Sequence, residues 1–217
     1  MTKEQIVKWL QAIGHVVEAN KEFLTQLDAA IGDADHGINM ERGFKKVNSQ
    51  LSTVADKDIG SIFKSTGMAL ISSVGGASGP LYGTLFLRAG TVASGKHELN
   101  TTELAGVLKA GLSGVIERGK AQVGDKTMVD ALTPAVKAFE QAAEDGVGIA
   151  EALGQTVAAA EQGMKDTIPL IARKGRASYL GERAIGHQDP GATSVYLIIK
   201  ALHDVVSKKE RTKWSAL

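Results

Sequence analysis

The chain of 217 residues contains no cysteine. Disulfides, thiolate nucleophiles and cysteine-ligated zinc are therefore excluded. Proline is scarce, at four residues, and aromatic residues make up only 5%. Few aromatics beside plentiful alanine, leucine and glycine suit close helix–helix packing better than a sheet sandwich. No apolar run approaches the length of a membrane span, and the opening Met1-Thr-Lys-Glu-Gln5 shows no apolar leader. A cytoplasmic protein is the expectation. Charge of one sign is missing too, since 25 Lys and Arg against 24 Asp and Glu leave a net +1. Nothing in that balance calls for nucleic acid or a membrane surface as partner. The length suffices for one core and demands no second domain.

What is present is helical periodicity. Thr2 and Gln5 read as a capping box ahead of Ile6, Trp9, Leu10, Ile13 and Val17 on one face. Leu24, Leu27 and Ile31 follow at helical spacing, and a segment from about Gly37 to Leu51 turns Phe44, Val47 and Leu51 inward. Asp58 reads as the N-cap for Ile59, Ile62, Phe63, Thr66 and Leu70. Pro80 suits the first turn of a helix carrying Leu81, Leu85 and Phe86. Thr102 reads as a cap for Leu104, Val107, Leu108, Leu112 and Val115, with Gly119 as the stop. A segment opening at Thr127 contains Pro134, which predicts a kink or a late start. Segments from Ala150 to Met164 and from about Pro190 to Val206 complete the set. No alternating run demands a strand. The predicted fold is all-α, about eight helices joined by short loops that make neighbours antiparallel. The polar stretch 208–217 reads as a fraying tail, with Trp214 loose or docked on a neighbour.

Asp28, Asp33 and Asp35 fall within eight residues of sequence. Asp28 is predicted on the last turn of a helix ended by Gly32, and Asp33 and Asp35 in the turn that follows. Three such carboxylates repel one another, and their hard oxygens suit Mg²⁺ bridging to phosphate. Solvated turn and N-cap aspartates give the same pattern, so the triplet alone leaves both readings open.

Three glycine-bearing loops interrupt the helical pattern. Ser72–Gly83 offers small residues ahead of a helix start, which suits phosphate at open N–H groups or, equally, tight helix contact. Gly119–Thr127 nearly spells a P-loop, but Asp125 intrudes between Gly124 and Lys126 and no strand precedes it, so a Walker-type site is rejected. Ala172–Thr193 is long for a connector and carries Arg173, Lys174, Arg176 and Arg183, either as a solvated basic loop or as a lid over phosphate.

Taken together, Gly32-Asp-Ala-Asp-His-Gly37, Ser73-Val-Gly-Gly-Ala-Ser-Gly-Pro80, Gly124-Asp-Lys-Thr-Met128 and Arg173-Lys-Gly-Arg-Ala-Ser-Tyr-Leu-Gly-Glu-Arg183 with Gly186-His-Gln-Asp-Pro-Gly191 resemble the nucleotide-binding L subunit of dihydroxyacetone kinases. The resemblance runs in order over about residues 2–206. It implies an antiparallel eight-helix barrel over residues 1–207, with ADP or ATP at one end. It implies that Asp28, Asp33 and Asp35 hold two Mg²⁺ ions. His36, Gly37, Ile38 and Asn39 would meet phosphate oxygens, as would Ala77 and Ser78, with Thr84 adding a hydroxyl. Gly119 and Met128 would take the adenine, Arg176 would close over the phosphates as the catalytic arginine, and Asp189, Pro190 and Gly191 would shape the wall. Arg173, Lys174 and Arg183 are left for partner docking or loop structure. The implied activity is phosphoryl transfer to dihydroxyacetone on a separate K subunit. A phosphohistidine protein of the phosphotransferase system would recharge the bound ADP. A chain without a K domain fits that type better than the fused ATP-dependent kinases. A homodimer, an ATP-dependent ketose kinase subunit and an ADP-sensing module stay open.

Overall fold

The computed structural model describes the backbone of residues 1–214 and the side chains of residues 1–207. The expected tail 208–217 continues α9 in its backbone as far as Trp214, while its side chains, that of Trp214 included, and residues 215–217 lie outside the described residues. Nine α-helices are present among those described: α1 Lys3–Ala19, α2 Lys21–Ile31, α3 His36–Gln50, α4 Ile59–Ser73, α5 Ser78–Val92, α6 Thr101–Gly119, α7 Met128–Glu144, α8 Ile149–Asp166 and α9 Pro190–Trp214. Short 3₁₀ segments occupy Leu51–Thr53 and Arg176–Ala184. The only extended pairing among the described residues is a single bridge, Thr2 with Glu98.

The helices number nine where about eight were expected, and each corresponds to a helical segment read from the sequence. Helices α1 and α2 are separated at Asn20, whose side-chain amide donates to Val16 O at 2.7 Å and closes α1. Eight of them nevertheless pack in a closed circuit, α1–α3–α4–α5–α6–α7–α8–α9 and back to α1, with α2 lying against α3 and α9. The junction of first and last helices is polar as well as apolar, since Trp9 Nε1 donates to Ile198 O at 2.9 Å. Trp9, Phe63 and Phe86 form the aromatic centre, with ring centroids 5.8–6.2 Å apart. A few large rings thus serve a core otherwise built from small and aliphatic side chains.

Most helix starts follow the local chemistry. Thr2 and Gln5 make the expected reciprocal capping box, and Asp58 caps α4 while also accepting from Gly95 N at 3.0 Å. The expected cap at Thr102 is corrected to Asn100. Its side chain accepts from Glu103 N at 2.8 Å, and Glu103 returns the bond to Asn100 N at 2.9 Å. The paired exchange satisfies two orphan donors where Thr102 offers one. The segment Arg176–Ala184, read from sequence as loop, winds into 3₁₀ turns interrupted at Gly181, whose φ is 57°.

Pro134 neither kinks α7 into two helices nor delays its start, because α7 runs unbroken from Met128. Proline lacks an N–H, so Asp130 O loses its partner four residues on. That carbonyl faces Gly163 of α8, where a Cβ would stand 2.2 Å from Asp130 O and 2.9 Å from the Pro134 ring. The helices approach closely there because nothing projects between them. Gly163→Ala gains up to ~1 kcal/mol of helix propensity, whereas forcing a methyl into backbone typically costs about 1–3 kcal/mol. The expected result is net destabilisation in urea unfolding, and a variant as stable as the parent would show that the helices can part freely.

Candidate functional site

One cavity of about 650 Å³ opens at one end of the circuit. Its volume suits a nucleotide-sized ligand. Asp28 and Ile31 at the end of α2, Val115 and Gly119 at the end of α6, and Gly75–Ala77 after α4 supply part of its wall. The rest comes from the beginnings of α3 (His36), α5 (Ser78), α7 (Met128) and α9 (Pro190). Thus α2, α4 and α6 end at the cavity, and α3, α5, α7 and α9 begin there. Four helix N-termini bring partial positive charge and open N–H groups to one place, an arrangement made for anions.

The aspartates gather at the rim. One oxygen from each of Asp28, Asp33 and Asp35 lies within 4.8 Å of the others. Asp28 is buried, and its Oδ2 accepts from the N–H groups of Asp35 at 2.8 Å and His36 at 3.2 Å. Gly32 has to be glycine here, because a Cβ would stand 2.0 Å from Asp28 Oδ1. Ala34 takes a left-handed φ of 59°, which turns the chain between the other two carboxylates. Arg176 reaches over from its loop, and its Nε donates to Asp33 Oδ2 at 2.8 Å.

Behind the rim runs a chain of hydroxyls and imidazole. Ser78 Oγ lies 3.2 Å from His36 Nδ1, His36 Nε2 lies 2.9 Å from Ser194 Oγ, and Tyr82 OH lies 2.7 Å from the same Ser194 oxygen. Burial pushes the His36 pKa down, with Asp28 and Asp35 pulling it back up. Both ring nitrogens are therefore engaged by protein hydroxyls, and the ring braces α3, α5 and α9 against one another. Burial likewise raises the Tyr82 pKa, so its phenol remains a donor.

The loop between α6 and α7 forms another side. Asp130 closes a capping box with Thr127 and also accepts from Gly124 N at 2.6 Å. Lys126, left-handed with φ of 61°, is almost fully buried. It points to the carbonyls of Thr167 and His187, at 2.6 and 2.5 Å. The lysine of the near-P-loop thus serves backbone oxygens, which agrees with rejecting a Walker site.

Residues 30–204 match the DAK2 domain. The chain belongs to the DAK2 family. It is 52% identical over 202 residues to the ADP-binding subunit DhaL of the PEP-dependent dihydroxyacetone kinase of Escherichia coli, covering 93% of this chain and 96% of that one. It is 39% identical to the ADP-binding subunit DhaL of the PTS-dependent enzyme of Lactococcus lactis, covering 95% and 100%. The dihydroxyacetone kinase of C. freundii in complex with AMP-PNP and Mg²⁺ superposes with a TM-score of 0.72 at 25% identity. This DAK2 chain is covered over 92% of its length and spans about a third of that longer kinase, 33%.

Of the residues singled out from sequence, Asp28, Asp33, Asp35, His36, Ala77, Ser78, Gly119, Met128, Arg176, Asp189, Pro190 and Gly191 all line the DAK2 cavity. Gly37, Ile38, Asn39 and Thr84 do not. Gly37 packs on α2, where a Cβ would lie 2.0 Å from Lys21 O, and the Ile38 side chain is half exposed. Asn39 is buried and accepts from Arg42 at 2.6 Å, and the Thr84 hydroxyl bonds back to Pro80 O. Leu81, Tyr82, Val115, Arg118 and Val129 also line the cavity and went unnoticed. The apolar ones repeat at helical spacing like any core residue, and only their place at helix ends distinguishes them.

Asp189 caps α9, its Oδ2 accepting from Ala192 N at 2.7 Å. Burial raises its pKa to about 7, against the pull of the Ala192 N–H and of Lys126, and with a push from Asp130 and Asp28. An unfolded aspartate titrates near ~4. The folded state therefore holds the extra proton between about pH 4 and 7, and this residue's contribution to stability falls as pH rises through that window. Asp189→Asn keeps the capping oxygen and cannot charge. In thermal melts of nucleotide-free protein its advantage over the parent should grow from pH 4 to pH 7. A difference independent of pH would contradict the assignment.

Proposed function

We infer that this chain is the nucleotide-binding subunit of a phosphotransferase-system-dependent dihydroxyacetone kinase. The observation that carries this reading is the cavity where four helix N-termini meet three rim carboxylates. The chain that builds it is similar, nearly end to end, to named ADP-binding subunits of such kinases. ADP or ATP would be its cofactor. The K subunit carrying dihydroxyacetone and a phosphohistidine donor protein would be its partners. A cytoplasmic location accords with the absence, among the described residues, of any helix long and apolar enough to cross a membrane.

The donor set fits Mg²⁺. Three carboxylates offer hard oxygens only, and their formal charge of about −3 exceeds that of one divalent ion, which supports two ions rather than one. Asp28, Asp33 and Asp35 would hold them. Bound there, Mg²⁺ would neutralise phosphate charge, while the nucleotide carries the phosphoryl group between donor protein and ketose.

The chain's own part is to bind and orient. Ala77 and Ser78 present the α5 start to the phosphates, and His36 keeps Ser78 in place from behind. Met128 and Gly119, with Leu81, Val115 and Val129, make the apolar face that receives the base. Asp189, Pro190 and Gly191 form the wall beside Met128. At Gly191 a Cβ would come within 3.4 Å of Met128 N, so α9 approaches α7 closely there. Arg176, poised beside Asp33, supplies a planar fork for two phosphate oxygens. Positioning and charge stabilisation then account for catalysis without a covalent intermediate on this chain.

Asp33→Asn and Asp35→Asn should abolish Mg²⁺-dependent ADP binding in calorimetry and leave the helical circular dichroism intact. ADP with Mg²⁺ should raise the parent's unfolding free energy by about 2.7 kcal/mol at a hundredfold excess over Kd. Unchanged affinity in the aspartate variants would remove the metal from Asp33 and Asp35. Arg176→Lys should slow dihydroxyacetone phosphorylation by ~10³, as for arginines aimed at developing charge, and weaken ADP binding far less. Its exposed ion pair with Asp33 is worth no more than about 1 kcal/mol, so the melt should barely move. Equal losses in rate and binding would make Arg176 a ground-state clamp.

A further inference from the structure

Lys126 is 1% exposed and ranks among the largest fully buried side chains of the fold. A buried ammonium is expensive unless each of its three donors is met. Here the three acceptors are all backbone carbonyls, Thr167 O at 2.6 Å, Ile168 O at 3.4 Å and His187 O at 2.5 Å. No carboxylate among the described residues forms an ion pair with it. The three carbonyls belong to the two roots of one loop. Thr167 and Ile168 begin the crossing that carries Arg176, and His187 ends it. The same roots are pinned to each other where Gly186 N donates to Ile168 O at 2.8 Å. They are pinned to the α6–α7 loop where Arg173 N donates to Asp125 O at 3.0 Å. The Asp189 N–H, donating to Thr167 Oγ1 at 3.0 Å, adds the start of α9 to the same knot.

We propose that Lys126 is a positioning residue that gathers both roots of the 167–189 loop under one ammonium and so sets where Arg176 stands over the cavity. This rests on the reading of Arg176 given above. The floor beside it does not need Lys126, because the start of α7 is held separately by the Thr127–Asp130 box and by Gly124 N on Asp130. Lys126 borders the cavity, but its donors are directed to the loop roots, so removing the ammonium leaves the pocket for the base and loosens the loop. A core lysine serving general stability would weaken both alike.

The test is Lys126→Met, which keeps the length and apolar stem and deletes the three donors. In hydrogen–deuterium exchange of the full chain, amides of residues 170–187 should exchange about tenfold faster or more, with those of α4 to α6 unchanged. Turnover with the partner subunit and donor protein should fall about tenfold or more, while the Kd for Mg²⁺-ADP moves less than about threefold. Faster exchange spread evenly over the fold, no change in the loop, or parallel losses in turnover and affinity would each overturn the proposal. If the variant does not fold, amine acetylation of the parent protein decides. Lys126 should react about a hundredfold more slowly than exposed Lys137 and Lys174, because it reacts only when the roots part. Reaction at a rate like theirs would overturn the proposal. A parent protein that fails to bind ADP would sink the functional reading, and the exchange comparison would still decide Lys126.

Discussion

The starts of α3, α5, α7 and α9 meet around one cavity, and the remaining polar structure arranges itself to suit that meeting. Helices that alternate in direction around a circuit put every second positive end on the same side, here four of them. The carboxylates of Asp28, Asp33 and Asp35 belong on that side for the same reason, since partial positive charge offsets some of their mutual repulsion. The fold thereby has an electropositive interior edged by an acidic rim, the arrangement a metal-bridged anion needs.

Buried polarity follows the same division. Among the described residues, ten of the twelve buried polar or charged ones, from Asp28 to Ser194, lie in the cavity wall, in the loops that frame it or in the opening turns of the helices that begin there. The two exceptions, Thr66 and Thr156, bond back to carbonyls of their own helices, Ile62 and Ala152. Away from the site the core is therefore apolar and self-contained. At the site, loops with little core of their own are held by specific side chains. Asp130 fixes the turn before α7, Asp189 fixes the start of α9, and His36 stands between Ser78 and Ser194. Such ties cost conformational freedom and desolvation, and a structure keeps them where geometry matters more than stability.

Much of this was legible in the sequence, for identifiable reasons. Helices came from periodicity, and caps such as Thr2 and Asp58 from side chains that can answer open N–H groups. The Asn100 cap was missed because Thr102 satisfies the same local rule, and only the reciprocal bond to Glu103 separates the two. Pro134 predicted a break because a local rule does not contain Gly163, which lies on another helix. The aspartate rim was visible as spacing, whereas the burial of Lys126 was not. A lysine in a glycine-rich loop reads as solvated until the loop it serves, more than forty residues later, is in place. Tyr82 and Ser194 were hidden for the same reason, since each looks like an ordinary helical residue until His36 stands between them.

The hydrogen bond from Trp9 to Ile198 spans nearly the whole chain, a separation of 189 residues. Pairs such as α4 with α5 or α7 with α8 join across short turns and lose little chain entropy in doing so, whereas the meeting of α1 with α9 must bring distant segments together. The cavity walls run from Asp28 to Gly191, so they are complete only after that last seam is made. Ligand binding is thus a readout of finished folding, and a nascent or truncated chain lacking α9 presents a cavity open on the side that Pro190 and Gly191 close.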